Sequence, residues 1–350
     1  MTFEEIFAVD TSNMYSLIKK FPEQVEEAVT IGNATSPRLA VSNVRNIVLS
    51  GLGGSAIGGD LLKSYLAREL KIPFVVNRHY TLPGFVDKNS LVIISSYSGN
   101  TEETLSSFKE AQKRGAKILC ISSGGEVEKL AKKRKSPIIT IPGGLPPRAA
   151  LGYSFFPLLI ALGKLGLIRN KRQEINETLT MLKRKSDEYG TPDAASNKAM
   201  QIAEQLRHRI GVIYSSTERF DAVATRWREQ MAENGKSLMF SHVLPEMNHN
   251  ELVGWKALTD QMQEMQVILL RDQDDHPRVK VRMDITRGLI AERTQHITEV
   301  WSEGTSPLTR MFSLVYLGDW VSFFLAILHG INPTPVDVID YLKNELAKVS

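Results

Sequence analysis

At 350 residues, with 42% hydrophobic and 23% charged side chains, the chain has the length and balance of a globular protein of two ordinary domains. A net charge of +4, with no basic run interleaved with aromatics, argues against a nucleic-acid partner. The single cysteine, Cys120, excludes a disulfide framework, and the acidic opening MTFEEIFAVD lacks the layout of a signal peptide, so a cytoplasmic setting without membrane attachment is expected.

Residues Thr11–Val41 read as helical packing ahead of the first domain. Asn46–Ser50 is then a strand, Gly51–Asp60 (GLGGSAIGGD) a glycine-rich turn, and Leu61–Leu70 a helix. Further apolar strands are predicted at Phe74–Asn77, Leu91–Ser95, Lys117–Ser122 and Pro137–Ile141, with Cys120 inside the third of these. Helical patterns at Glu103–Arg114 and Glu126–Lys135 alternate with them, the last ending in a solvated basic run, Lys132–Lys135. Such alternation means βαβ units and a parallel sheet with helices on both faces. An apolar helix over Arg148–Leu167 closes the first half. Residues Asn170–Gln205 are helical and charged, broken by TPDAAS, and read as a linker.

A second strand, turn and helix follow at Gly211–Ser215 and Phe220–Asn234, with short strands near Ser237–Val243, Gln266–Arg271 and Ile297–Trp301. The apolar stretch Met311–His329 is interrupted by Gly318 and Asp319, which predicts a core helix and not a membrane span. The expected fold is α/β, two doubly wound (flavodoxin-like) parallel-sheet domains, divided as 1–168, a helical linker at 169–208, and 209–350. Ligands of such sheets lie at the carboxyl ends of the strands, beside a switch point.

Two loops fall at that edge. In Leu91–Ser107 (LVIISSYSGNTEETLSS) a buried strand delivers hydroxyls and backbone amides to the start of a helix, with Asn100 and Glu103 reading as N-cap and capping box. Orphan amides and the positive helix end favour an anion there, provided Glu102 and Glu103 point away. In the other loop, Gly51, Gly53 and Ala56 satisfy the dinucleotide fingerprint G-x-G-x-x-A. The next strand ends Asn77-Arg78-His79, with no acidic residue for a ribose, while Arg78 suits a 2′-phosphate. An NADP-binding oxidoreductase therefore stays open as a rival.

Taken together, SSYSGNTEET and GLGGSAIGGD resemble the sugar isomerase (SIS) domain, which binds phosphosugars. GGLPPRAALGY, AENGKS, PEMNHNELVGW, and LGDWVSFFLA with NPTPVDVIDYLKNEL, resemble the bifunctional phosphoglucose/phosphomannose isomerases across nearly the whole chain. The resemblance implies interconversion of glucose 6-phosphate, mannose 6-phosphate and fructose 6-phosphate, without metal or other cofactor, in a homodimer. A non-catalytic phosphosugar sensor remains the alternative from a different class.

An aldose–ketose isomerase needs a phosphate anchor, a carboxylate base, a cation beside the enediolate, and an acid/base to open the ring. By similarity the anchors are Gly54, Ser55, Ser96, Ser98 and Thr101, and the base is Glu233. Gly235 reads as a helix C′ glycine, which sets Glu233 in the last turn and off the apolar stripe of Phe220, Val223, Trp227 and Met231. The dipole's negative end disfavours a carboxylate there.

Arg148, after Pro146-Pro147, opens an apolar helix against the dipole, and the resemblance makes its anionic neighbour the enediolate. In the last helix, Val336, Ile339, Leu342, Leu346 and Val349 form one stripe, with Lys343 at its edge, either snorkelling or pointing into a cleft. His249 matches the family's ring-opening histidine, which reaches across the dimer into the partner's site. Glu246 and Glu251 flank it as alternative carboxylates. The seven histidines and one cysteine show no paired metal spacing, so no zinc site is expected.

Overall fold

A computed structural model describes residues 1–346 and 348. Three helices lead in: α1 (Phe3–Val9), α2 (Met14–Lys19) and α3 (Phe21–Ala34). The first sheet is built from β1 (Asn46–Ser50), β2 (Phe74–Asn77), β3 (Ser90–Ser95), β4 (Lys117–Ser122) and β5 (Ile138–Thr140). Between them run α4 (Gly53–Leu66), α5 (Glu102–Lys113) and α6 (Gly125–Arg134), and α7 (Leu151–Lys164) follows the sheet. All pairings are parallel, in the order β2-β1-β3-β4-β5.

Two helices, α8 (Arg172–Tyr189) and α9 (Lys198–Leu206), lead to the second sheet. It holds β6 (Gly211–Ser216), β7 (Met239–Leu244), β8 (Gln266–Arg271) and β9 (Ile297–Trp301), parallel in the order β7-β6-β8-β9. Its helices are α10 (Asp221–Glu233), the short α11 (Glu251–Gly254) and α12 (Thr259–Gln263), and α13 (Pro277–Ala291). The chain closes with α14 (Pro307–Leu328) and α15 (Asp337–Leu346). In each sheet the chain turns back at its first strand, so the switch points lie between β1 and β3 and between β6 and β8.

The apolar stretch near the C-terminus is the central packing element. In α14 every residue from Leu308 to Ile327 is buried, with α8, α9 and α10 packed against it. It is long and apolar enough to cross a bilayer, yet its faces are taken by protein. Its two interruptions dock α10. A Cβ on Gly318 would lie 2.4 Å from Trp227 Nε1, so only glycine lets that indole lie flat on the helix. Trp227 Nε1 then donates to the Leu314 carbonyl at 2.8 Å. Asp319 accepts from Arg226 and Gln230, both at 2.8 Å.

The structure departs from two local expectations. The glycine-rich stretch is mostly helix, because α4 already begins at Gly53. Its glycines serve close packing: a Cβ on Gly54 would meet the Pro147 carbonyl at 2.5 Å, and one on Gly59 would meet Leu49 at 2.7 Å. Asn100 is not the N-cap of α5. Thr101 holds that position, without a side-chain cap. Asn100 Oδ1 instead accepts from the Glu126 amide at 3.0 Å, because the uncapped start of α6 lies alongside and offers it a free N–H.

Candidate active site

The phosphate loop forms where the ends of β1 and β3 diverge. Ser55, in the first turn of α4, accepts from the Tyr97 amide at 3.2 Å, which ties the two loops together. Ser96 Oγ lies 3.1 Å from Thr101 Oγ1 and accepts from the Gly99 amide at 3.1 Å. Ser98 Oγ accepts from the Asn100 amide at 3.3 Å. Gly99, at φ +73°, needs its missing side chain, since a Cβ would overlap the Gly124 carbonyl at 1.9 Å. The predicted anchors Gly54, Ser55, Ser96, Ser98 and Thr101 thus sit on two linked loops at the first switch point. Short hydroxyls and backbone amides there suit a phosphoryl group, which needs several donors and little bulk.

The second switch point is chemically different. The loop after β8, the counterpart of the Ser96–Thr101 loop, carries Asp272, Asp274 and Asp275. Asp272 is fully buried and accepts from Arg310 at 3.0 Å, Ser302 at 2.6 Å and Arg219 at 3.3 Å. Asp275 accepts from Ser216 at 2.5 Å, and burial pushes its carboxyl above the usual range. The protein's own carboxylates fill this crevice, so a phosphate has no place in it.

Arg148 connects the first sheet to the second half. It sits in a 3-10 turn, Pro147–Ala149, against Gly54 of the phosphate loop. The guanidinium is buried, with only 4% of the residue exposed. Nε donates to Asn234 Oδ1 at 2.6 Å, and Nη2 to the Pro333 and Thr334 carbonyls at 3.1 and 2.7 Å. Nη1 faces Glu233 Oε2 at 3.4 Å, leaving the cation a donor turned towards a half-buried carboxylate. Burial lowers the Arg148 pKa while Glu233 acts against that shift, and a guanidinium stays charged throughout the neutral range.

Glu233 is the last residue of α10, as the glycine two residues on implied. Gly235, however, does not take the left-handed conformation. Lys236 does, at φ 54°, and Gly235 is required because a Cβ would meet the Met231 carbonyl at 2.8 Å. Lys236 Nζ donates to the carbonyls of Glu233 at 2.5 Å, Pro333 at 3.2 Å and Pro335. Burial and the nearby Arg148 hold its ammonium below the ordinary lysine pKa. Behind the pair, Arg226 donates to the Arg148 carbonyl at 3.1 Å and to the buried Asp319. Burial raises Asp319, and Arg226 pulls it back down. Nothing local in the sequence marks Arg226, Gln230 or Asn234 as part of this site; the available signal is Asp319, a lone charge in an apolar helix.

The remaining expected residues do not join this cluster within one chain. His249 is exposed, in a 3-10 turn after β7. Lys343 does not point into a cleft of its own chain. Its side chain is 70% exposed, 3.9 Å from Asp340, on a helix with no buried residue. The stripe expected to bury one face is there but uncovered, with Leu342 57% and Leu346 55% exposed, while Val349 lies outside the described residues. Glu251 accepts from Tyr214 at 2.6 Å and Glu246 from Asn250 at 2.8 Å, which occupies both alternative carboxylates. Arg78 is held by Asp60 and is not free for a 2′-phosphate.

With this geometry in place, comparison with known proteins gives a consistent answer. The SIS domain family matches residues 40–142, and the bacterial phospho-glucose isomerase C-terminal SIS domain family matches residues 195–346. A bifunctional phosphoglucose/phosphomannose isomerase of Caldicellulosiruptor bescii is 44% identical over 96% of this chain and 99% of its own. The protein of the same name from Aquifex aeolicus is 40% identical over 87% and 91%. Among solved structures, a hypothetical protein of Thermus thermophilus superposes with a TM-score of 0.76 at 16% identity, covering 99% of this chain and 93% of that one. The C-terminal domain of glucosamine-fructose-6-phosphate aminotransferase from Francisella tularensis gives 0.69 at 15% identity, over 92% and 98%. Both share the fold of two parallel-sheet domains.

Proposed function

The chain belongs to the bifunctional phosphoglucose/phosphomannose isomerase family, and on that premise we propose that it interconverts glucose 6-phosphate or mannose 6-phosphate with fructose 6-phosphate through an enediolate. It is a phosphosugar isomerase. The observation that carries the assignment of roles is the Arg148–Glu233 pair, held against the phosphate loop through the contact of Gly54 with Pro147. Gly54, Ser55, Ser96, Ser98 and Thr101 grip the phosphoryl end. Glu233 takes the C2 proton of the open-chain aldose as the electron pair moves onto the C1 carbonyl, and Arg148 stabilises the enediolate oxygen. With the hydroxyl proton passed from O2 to O1 of the enediolate, returning the carbon-bound proton to C1 gives the ketose. Returning it to C2 gives an aldose, and rotation about C2–C3 gives Glu233 access to either epimer.

His249 and Lys343 are assigned to ring opening, His249 acting in the partner's site of a homodimer. The exposed position of His249 supports this, with the exposed Val253 four residues on, in α11. We keep 1–168, a linker at 169–208, and 209–350 as the domain plan, and a cytoplasmic setting, which the lone, buried Cys120 supports.

Glu233→Gln is expected to lower kcat about 100-fold or more while hexose phosphate binding persists. Loss of C2 proton exchange in deuterated water is the measurement. Near-normal turnover would remove Glu233 from the role, and a wild-type protein that binds hexose phosphate without exchange would be a sensor.

A further inference from the structure

A large cavity lies away from the isomerase site. A groove of about 1160 Å³ lies between the two halves, at the amino end of the first sheet. One wall is the far end of α4 and the turn after it, with Tyr65, Arg68, Glu69 and Lys71. The other walls come from the α7–α8 junction, with Arg169 and Lys171, from the loop after β6, and from the start of α14. Its size is that of a small-molecule site and well above what one ion needs.

The lining is cationic in a specific way. Five basic and three acidic side chains face the groove, a surplus of two positive charges. The acids are already engaged: Glu69 and Glu174 hold Lys171 at 2.5 and 3.2 Å, and Glu218 meets Arg68 at 3.4 Å. Arg219 is committed to Asp272 at 3.3 Å. Lys71 and Arg169 form no ion pair among the described residues, and both are exposed at the rim. Between the charges lie Val44, Ile72, Leu167, Met311 and the Tyr65 ring, which has Lys171 5.1 Å from its centroid. Two exposed cations, Arg169 with its amide bonded to Glu69 at 2.6 Å, over an apolar and aromatic floor suit an anion with an apolar body better than a sugar.

We propose that this groove is a second ligand site, for a phosphate ester with two or more negative charges and an aromatic body, separate from the isomerase site. It reaches that site through α4, whose 14 residues span roughly 20 Å from the phosphate loop at Gly53 to the groove at Leu66. Ser64, at the groove end, donates to Asp221 at 2.9 Å, at the start of the helix that carries Glu233. A ligand drawn onto Arg68 competes with Glu218 for it and bears on that junction.

The test titrates the full chain with ATP, free of magnesium at low ionic strength, and separately with inorganic pyrophosphate. Expected are saturable ATP binding in the presence of saturating glucose 6-phosphate, and weaker pyrophosphate binding. The Lys71→Glu/Arg169→Glu double variant should bind ATP at least about tenfold more weakly, with kcat/KM for isomerisation unchanged. Lys71→Arg/Arg169→Lys should restore binding. Absence of ATP binding, equal affinity in the double variant, complete displacement by glucose 6-phosphate, or pyrophosphate binding as tight as ATP would each overturn the proposal. None of these outcomes touches the isomerase assignment, which is read from activity alone.

Discussion

Gly54 shows how one missing methyl group sets the spacing of the active site. Its α-carbon sits where a Cβ would press on a backbone carbonyl, that of Pro147, immediately before the buried Arg148. Gly54→Ala must part the phosphate loop from that turn, because neither side is a flexible side chain. We expect kcat/KM for fructose 6-phosphate to fall about 100-fold, with misplacement of the reacting carbons as the cause, and a steady-state assay checks it. The hydroxyl loop was legible because small polar residues follow an unbroken apolar strand. Gly54 was legible as a phosphate anchor by resemblance, but its contact with Pro147 was not, since glycine marks loops and tight contacts alike. Asn234, which holds Arg148 from 86 residues away, gave no local signal at all. Lys343 meets the same limit: periodicity finds a stripe but does not say which body covers it.

At the scale of elements, the strands of the first domain were readable to within a residue or two, because parallel strands covered on both faces are continuous apolar runs, whereas α4 starts eight residues before the expected Leu61, inside the glycine-rich stretch. What periodicity could not give was the docking of α10 onto α14 through Trp227, Gly318 and Asp319. Two glycine substitutions separate that docking from ordinary helix propensity. Gly318→Ala drives a methyl into the Trp227 ring and is expected to cost about 1–3 kcal/mol, as overpacking does, and to disturb Glu233 at the end of the same helix as that indole. Gly288→Ala, in α13, meets nothing within 4 Å and should stabilise by about 0.5–1 kcal/mol. Urea unfolding of both variants gives the two signs, and a gain of stability in each would show that local propensity, not the contact, governs these helices.

For the whole molecule, the division of roles makes a test that does not depend on structure. If His249 serves the partner's site, Glu233→Gln and His249→Ala chains are each nearly inactive alone. Mixed and allowed to exchange subunits, they should recover about a quarter of the wild-type rate, because half the dimers are hybrids and each hybrid has one intact site. No recovery after demonstrated exchange would mean that the histidine acts within its own chain. The central helix has another consequence, set by the order in which a ribosome makes the protein. Tyr316 bonds the Ile18 carbonyl at 2.9 Å, and Trp320 meets the Tyr15 ring edge-on at 5.4 Å. The opening helices are therefore synthesised some 300 residues before the partners that cover them. α3 gains α7 and α8 earlier, but the face at Tyr15 and Ile18 lacks this cover until α14 is made, a hazard for any nascent polypeptide with bare aromatic surface, and an early stop codon would strand that face without its lid.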